Sequence, residues 1–241
     1  MFMPDTRNWR GPHPKDQECF APRWVPVLQA AVADLSWLLG RGYSSRASLK
    51  LVGDRYSLRD RQRKALQRCA ASDGACLERR AKRLSPSDLE DRTVVVDGYN
   101  VLLTLEAALS GGLLLLARDG VMRDLAAMSA HYRRLRATQP AIELLADFFA
   151  SAGCSQIIWY LDRPVSNSGR LKRLIQEIVA GREPPWRIDL TDRTDALLIH
   201  SPHVVASADS AVIDGCTEWI NLARLVVEAS IPDAWTLDFT D

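Results

Sequence analysis

The stretch Thr93-Val94-Val95-Val96-Asp97-Gly98-Tyr99-Asn100 decides how this chain is read. Three consecutive β-branched apolar residues, with nothing polar alternating among them, describe a short strand covered on both faces. Similar runs follow at Gln156–Leu161, Trp186–Leu190 and His203–Ala206. Helical spacing fills the gaps, over Val121–Arg136, Ala141–Ala152, Arg170–Ala180, Asp195–Ile199 and Thr217–Glu228. Buried strands alternating with helices imply an α/β unit, a parallel sheet with helices on both faces.

Upstream the grammar differs. Residues 1–22 carry Pro4, Pro12, Pro14 and Pro22 without periodicity and read as an irregular lead-in. Leu28, Ala31, Val32, Leu35, Leu38 and Leu39 then mark one face of a helix that Gly40 and Gly42 stop. Trp37 falls among these apolar positions and reads as core. Leu58, Ala65, Leu66 and Cys69 mark a second apolar face, and Cys76–Leu84 a short basic helix before Ser85-Pro86. The expected organisation is a lead-in (1–22), a small all-α basic domain (23–90) and the α/β domain (91–241).

Composition narrows the class. The chain has 241 residues, 47% hydrophobic and 25% charged, which is globular and argues against disorder. Its five cysteines include no C-x-x-C pair, as expected of reduced thiols in a cytoplasmic protein. The first twenty residues lack a signal-like apolar run, and Leu113–Ala117 is far too short to span a bilayer, so no membrane association is expected. The net charge of +1 hides an imbalance. Residues 41–83 carry 13 basic and 4 acidic side chains, whereas residues 84–241 carry 14 and 22. A basic segment could neutralise phosphates while an acidic cleft holds cations, or the two surfaces could simply dock on each other.

The carboxylates fall at telling places. The first strand ends in Asp97, the second in Asp162, the third runs into Asp189, Asp192 and Asp195, and the fourth ends in Asp209. Ligands of open α/β sheets bind beyond the carboxyl ends of the strands. Aspartates delivered together to that edge would repel one another unless a cation joined them. Oxygen ligands without paired His or Cys favour Mg2+ or Mn2+, which can activate water for phosphodiester hydrolysis. Each aspartate alone also suits a helix cap, Asp195 before Ala196-Leu197-Leu198 in particular. Asn100 could hydrogen-bond a water or a phosphate oxygen, and Gly98 would allow a tight turn or a close approach. Ser166, Asn167, Ser168, Gly169 and Arg170 open a helix and suit a phosphate, or an ordinary capped helix with a solvated face. Arg55, Arg59, Arg63, Lys64 and Arg68 are candidates for tracking a nucleic-acid backbone, with Tyr43, Tyr56 and Trp37 able to stack on bases, although Trp37 lies on the apolar face of its helix and reads first as core. Gly53-Asp54-Arg55-Tyr56 reads as a turn between basic helices, Asp119–Asp124 as a capped helix start whose Arg123 could reach a phosphate, and Glu106 as exposed on its helix.

Val94-Val95-Val96-Asp97-Gly98-Tyr99-Asn100-Val101 resembles the opening strand of PIN-like nucleases, the NYN branch above all, where an Asp is followed three places later by Asn. Leu161-Asp162 and Ala206-Ser207-Ala208-Asp209-Ser210 resemble later acidic positions of that superfamily. The chain also resembles a group of archaeal and bacterial two-part proteins through Leu49-Lys50-Leu51-Val52-Gly53-Asp54-Arg55-Tyr56 and Asp162-Arg163-Pro164-Val165-Ser166-Asn167-Ser168-Gly169. The resemblance implies a PIN-like sheet and a Mg2+- or Mn2+-dependent ribonuclease. Asp97, Asp162 and Asp209 would be metal ligands, with Asp195 or Asp192 as the fourth, and structured RNA such as tRNA as partner. It also implies a possible homodimer, since PIN-like domains often pair. Two departures stand out. Arg193-Thr194 separates Asp192 from Asp195, and Ala211 stands where a second acidic residue is expected after Asp209, with Asp214 the candidate substitute. A non-catalytic RNA-binding or adaptor protein is therefore the alternative. An aspartyl phosphatase fits less well, because Tyr99 occupies the position of its acid–base aspartate.

Overall fold

A computed structural model describes residues 11–125 and 135–240. The helical part runs through α1 (Asp16–Cys19), α2 (Val25–Gly40), α3 (Ser45–Arg55), α4 (Asp60–Cys69) and α5 (Asp73–Ala81). The rest alternates: β1 (Arg83–Leu84), β2 (Thr93–Asp97), α6 (Gly98–Leu109), β3 (Leu114–Leu116), β4 (Met122–Asp124), α7 (Thr138–Ser151), β5 (Gln156–Asp162) and α8 (Ser168–Ile178). It continues with β6 (Trp186–Thr191), α9 (Thr194–Ile199), β7 (Val204–Ala206), α10 (Ser210–Gly215), β8 (Trp219–Ile220), α11 (Leu222–Ser230) and β9 (Thr236–Asp238).

Six strands form one parallel sheet in the order β1-β8-β7-β2-β5-β6, with helices on both faces. The all-apolar β2 lies at its centre, which is why it cannot alternate. Val94 and Val96 face a core shared with α6, α7, α8 and α11, while Val95 faces the opposite one with Leu198, Val212 and Ile213 of α9 and α10. The helical part closes a third core, in which Leu28, Leu35 and Leu66 pack with Leu113, Leu115, Leu237 and Phe239 around the small sheet β4-β3-β9. Arg83 and Leu84 join the edge of the main sheet beside β8. The chain thus enters the sheet ahead of residue 91. Among the described residues no helix is long and apolar enough to cross a membrane.

Four elements differ from expectation. The basic helix expected over Cys76–Leu84 is α5, which ends at Ala81, because Arg83 and Leu84 pair with β8. The helix anticipated over Val121–Arg136 begins instead as β4, antiparallel to β3; residues 126–134 of that span lie outside the described residues. Asp119-Gly120 supplies the turn, with Gly120 at φ +77°, and such a dipeptide between apolar runs is a hairpin signal. The charges at Arg123 and Asp124 masked it. The helix expected from Thr217 starts at Leu222, because Trp219 and Ile220 pair with β7 and β1 first. Gly53-Asp54-Arg55 lies within α3 rather than in a turn.

Gly98 opens α6 hard against the neighbouring strand. A Cβ there would lie 2.0 Å from Trp159 Nε1 and 2.4 Å from the Tyr160 carbonyl oxygen, so close approach, not turn geometry, requires glycine. Trp159 is fully buried and stacked on Trp186, leaving the ring nowhere to move. Gly98→Ala is expected to cost about 3 kcal/mol, measurable as a lower midpoint in urea unfolding.

Candidate active site

The central strands β7, β2 and β5 are neighbours, and each delivers an aspartate at its carboxyl end. Asp97 closes β2, Asp162 closes β5, and Asp209 stands three residues beyond β7 as the N-cap of α10. The chain leaves β2 through α6 towards one sheet face and leaves β7 through α10 towards the other, the arrangement that opens a ligand crevice at the carboxyl ends in doubly wound sheets.

Hydroxyls hold these carboxylates in place. Ser207 Oγ donates to Asp97 Oδ2 at 2.7 Å and accepts from the Asp209 N–H at 3.0 Å, tying the ends of β7 and β2 together. Thr194 Oγ1 donates to Asp162 Oδ1 at 2.5 Å. Asp209 Oδ1 accepts from the N–H groups of Ala211 and Val212, so the capping role is real and uses one oxygen. Among the described residues the second oxygen of Asp97, Asp162 and Asp209 is left without a donor. Asp195 is not a cap, since α9 begins at Thr194 and Asp195 lies within its first turn. Neither Ser207 nor Thr194 was evident as a functional residue in the sequence; the only trace was a hydroxyl one or two places before an acidic residue.

Asp97 is 7% exposed. Burial pushes its carboxyl up to about 7, the nearby Asp162, Asp209 and Asp195 add to the rise, and the Ser207 hydrogen bond opposes it. Burial and then the charges of Asp209 and Asp162 likewise raise Asp195. The four carboxylates therefore share one electrostatic neighbourhood. Asp192 does not belong to it, being turned outward at 3.4 Å from the Arg163 guanidinium. Asp214 is no substitute for the missing acidic residue either, because Arg79 grips both of its oxygens, at 2.6 and 2.8 Å. Four hard-oxygen donors whose mutual repulsion a cation would relieve suit Mg2+ or Mn2+ in chemistry. As they stand, no three His, Cys, Asp or Glu side chains among the described residues are close enough to enclose a metal ion.

Beside the carboxylates lies a cavity of about 930 Å³. Asn100, Asp209, Ser210 and Arg123 line one side, and Lys64, Gln67 and Arg68 of α4 line the other. The basic α4 therefore faces Asp209 across the cavity, which Asp97, Asp162 and Asp195 do not line. Of the five basic residues picked out for nucleic acid, only Lys64 and Arg68 stand on this wall. Arg55 pairs with Asp34, Arg59 with Glu18 and Arg63 with Asp54. Ser166, Asn167 and Arg170 are exposed at the start of α8, and Ser168 is buried, its hydroxyl and N–H donating to the carbonyls of Arg163 and Val165. That loop flanks Asp162 and does not line the cavity. Glu106, expected at the surface, is fully buried and accepts from the Thr138 hydroxyl.

Behind the cavity wall runs an ionic network. Arg123 donates to the Ala208 carbonyl at 3.0 Å and to Ser210 Oγ at 3.1 Å, bracketing Asp209. Asp119 accepts from Arg123 with both oxygens at 2.8 Å and also from Arg79 of α5. Lys82 caps α10 through the carbonyls of Ile213, Asp214 and Cys216. The α5 cations thus dock the helical part onto the sheet.

Fold and site together define an α/β protein with aspartates at the ends of its central strands beside a cavity walled by the basic α4. It belongs to the family described as Domain of unknown function (DUF5616), matched over residues 86–225. Residues 27–82 match the family described as Protein of unknown function (DUF434). The chain is similar to the Uncharacterized protein MJ0935 of Methanocaldococcus jannaschii, 29% identical over 186 residues that span 77% of this chain and 88% of that relative. No solved structure matches.

Proposed function

We propose that this protein is a PIN-like, Mg2+- or Mn2+-dependent ribonuclease of the cytoplasm. The observation that carries the reading is the cavity, with Asp209 of the strand-end aspartates on one wall and the unpaired cations Lys64 and Arg68 on the other. Lys64 and Arg68 have no carboxylate partner among the described residues, which leaves both free to meet phosphates. Asn100 and Ser210 can orient a phosphodiester between them. Asp97, Asp162, Asp195 and Asp209 would hold the divalent cation, which supplies Lewis acidity for phosphoryl transfer when bound. Ser207 and Thr194 each hold one oxygen of two of those carboxylates, and the set would have to draw closer to enclose the cation. All five cysteines are free thiols, which supports a reducing compartment.

A second reading, an RNA-binding protein without catalysis, is favoured by the absence of a closed ligand set among the described residues and by Ala211. One experiment separates the two. Wild type and Asp97→Asn are incubated with labelled single-stranded and structured RNAs in Mn2+, in Mg2+ and in EDTA. Cleavage by wild type only with metal, and reduced on the order of 10²–10³-fold in the variant, is the expected result. RNA binding with no cleavage under any metal would establish the second reading.

A further inference from the structure

We infer that the end of α2 and the turn into α3 form a stacking platform for single-stranded RNA, distinct from the carboxylate cavity. Trp37, expected in the core, is 58% exposed, and Tyr43 is 60% exposed. Side chains of this size are normally turned inward, where they bury the most apolar area. The Arg41 guanidinium lies 4.3 Å from the centre of the Trp37 ring, which holds the indole flat beneath a cation. Arg46 is exposed three residues beyond Tyr43. Among the described residues neither Arg41 nor Arg46 has a carboxylate partner, in contrast to Arg55, Arg59, Arg61 and Arg63.

Exposed aromatic faces interleaved with unneutralised guanidiniums suit a flexible polyanion carrying flat bases: the rings stack and the cations meet phosphates, without reading sequence. The charge of the segment selects among occupants. Arg41 and Arg46 flank the rings without a carboxylate partner among the described residues, so a second copy of the same patch would be repelled, whereas RNA would be drawn in. The inference rests on RNA as the ligand of this protein, though not on its cleavage. It adds that a strand extends beyond the cavity, so long substrates bind better than short ones.

The test is fluorescence anisotropy in EDTA, with labelled oligouridines of about 20 and about 5 nucleotides, a difference larger than one binding-site length. Trp37→Ala and Tyr43→Ala should each weaken binding of the long RNA about tenfold, leaving short-RNA binding and the unfolding midpoint unchanged. Lys64→Ala with Arg68→Ala should weaken both RNAs. Unchanged long-RNA binding in the Trp37→Ala/Tyr43→Ala double variant would overturn the platform and leave the ribonuclease reading standing. So would self-association in sedimentation that Trp37→Ala abolishes, which would assign the patch to a second copy. Wild type that binds both RNAs in EDTA but cleaves neither with Mn2+ or Mg2+ would remove the ribonuclease reading and retain the platform, and wild type that binds neither would remove both.

Discussion

Asp119→Ala is expected to destabilise the protein by about 3–5 kcal/mol, the cost of stranding a buried charge. In a chain of this size that lowers the thermal midpoint on the order of 10 °C. The Asp119 carboxylate is wholly inaccessible and lies between the Arg79 and Arg123 side chains, which are 7% and 5% exposed. Its removal leaves two guanidiniums in the interior with the half-exposed Asp214 as their remaining carboxylate. The turn into β4 also loosens, because the Val121 N–H donates to Asp119 Oδ1 at 3.1 Å. A surface pair gives the contrast: Arg182→Ala, whose partner Asp147 is 71% exposed, should cost no more than about 1 kcal/mol. Burial alone would raise the Asp119 carboxyl, but the hydrogen bonds and charge of Arg123, with the charge of Arg79, outweigh it and hold the group below its ordinary value. A depressed folded value means stability present above the unfolded value and lost as pH falls through the folded one. The wild type should therefore lose this contribution only in acid, below about pH 4, and the variant should lack that acid limb. Equal unfolding midpoints for Asp119→Ala and wild type would show that the network contributes nothing. Arg123 would also lose its anchor, so the Ala208–Ser210 segment carrying Asp209 should slacken.

How far this arrangement could be read from the sequence depended on whether a residue's role is local. Val94-Val95-Val96 is legible because a strand covered on both faces needs nothing beyond its own three side chains, and the aspartates closing the strands are legible by position. Met122-Arg123-Asp124 is not. Its charges look solvated, yet Arg123 is buried by Asp119 and Asp124 by the Thr104 hydroxyl, partners that only the fold brings near. Asp192 and Asp214 resembled Asp195 and Asp209 in the sequence, and what separates them is an arginine elsewhere in the chain, Arg163 for one and Arg79 for the other. Trp37 sits at helical spacing, but the buried stripe of α2 is made by Leu28, Ala31, Val32 and Leu35, and Trp37 falls off its edge. The opposed charges of the two segments are used for docking at one end, and at the other they leave cations unpaired. Arg79 and Lys82 dock, while Lys64 and Arg68 stay free beside the cavity.

Asp97→Asn is expected to stabilise the metal-free protein at pH 8 by roughly 2–4 kcal/mol, opposite in sign to most core substitutions. The folded carboxyl stands at about 7 against 3.8 for the free group. Between those values the folded state keeps a proton that the unfolded chain releases, so folding is favoured on the acid side. That contribution is complete below about pH 4 and is lost as pH rises through about 7, beyond which the buried carboxylate is ionised and uncompensated. Asparagine cannot ionise, and its amide oxygen can still accept from Ser207, so the variant should show no such decline. Urea unfolding at pH 5 and pH 8 in EDTA measures the difference directly. Adding Mg2+ at pH 8 should restore stability to the wild type by binding the folded state alone and leave the variant where it was. A wild type as stable as Asp97→Asn at pH 8 would mean that Asp97 carries no such burden. A wild type that weakens as Asp97 ionises and recovers with Mg2+ would support the proposed cation site, in which Ser207 Oγ keeps the Asp97 carboxylate in place.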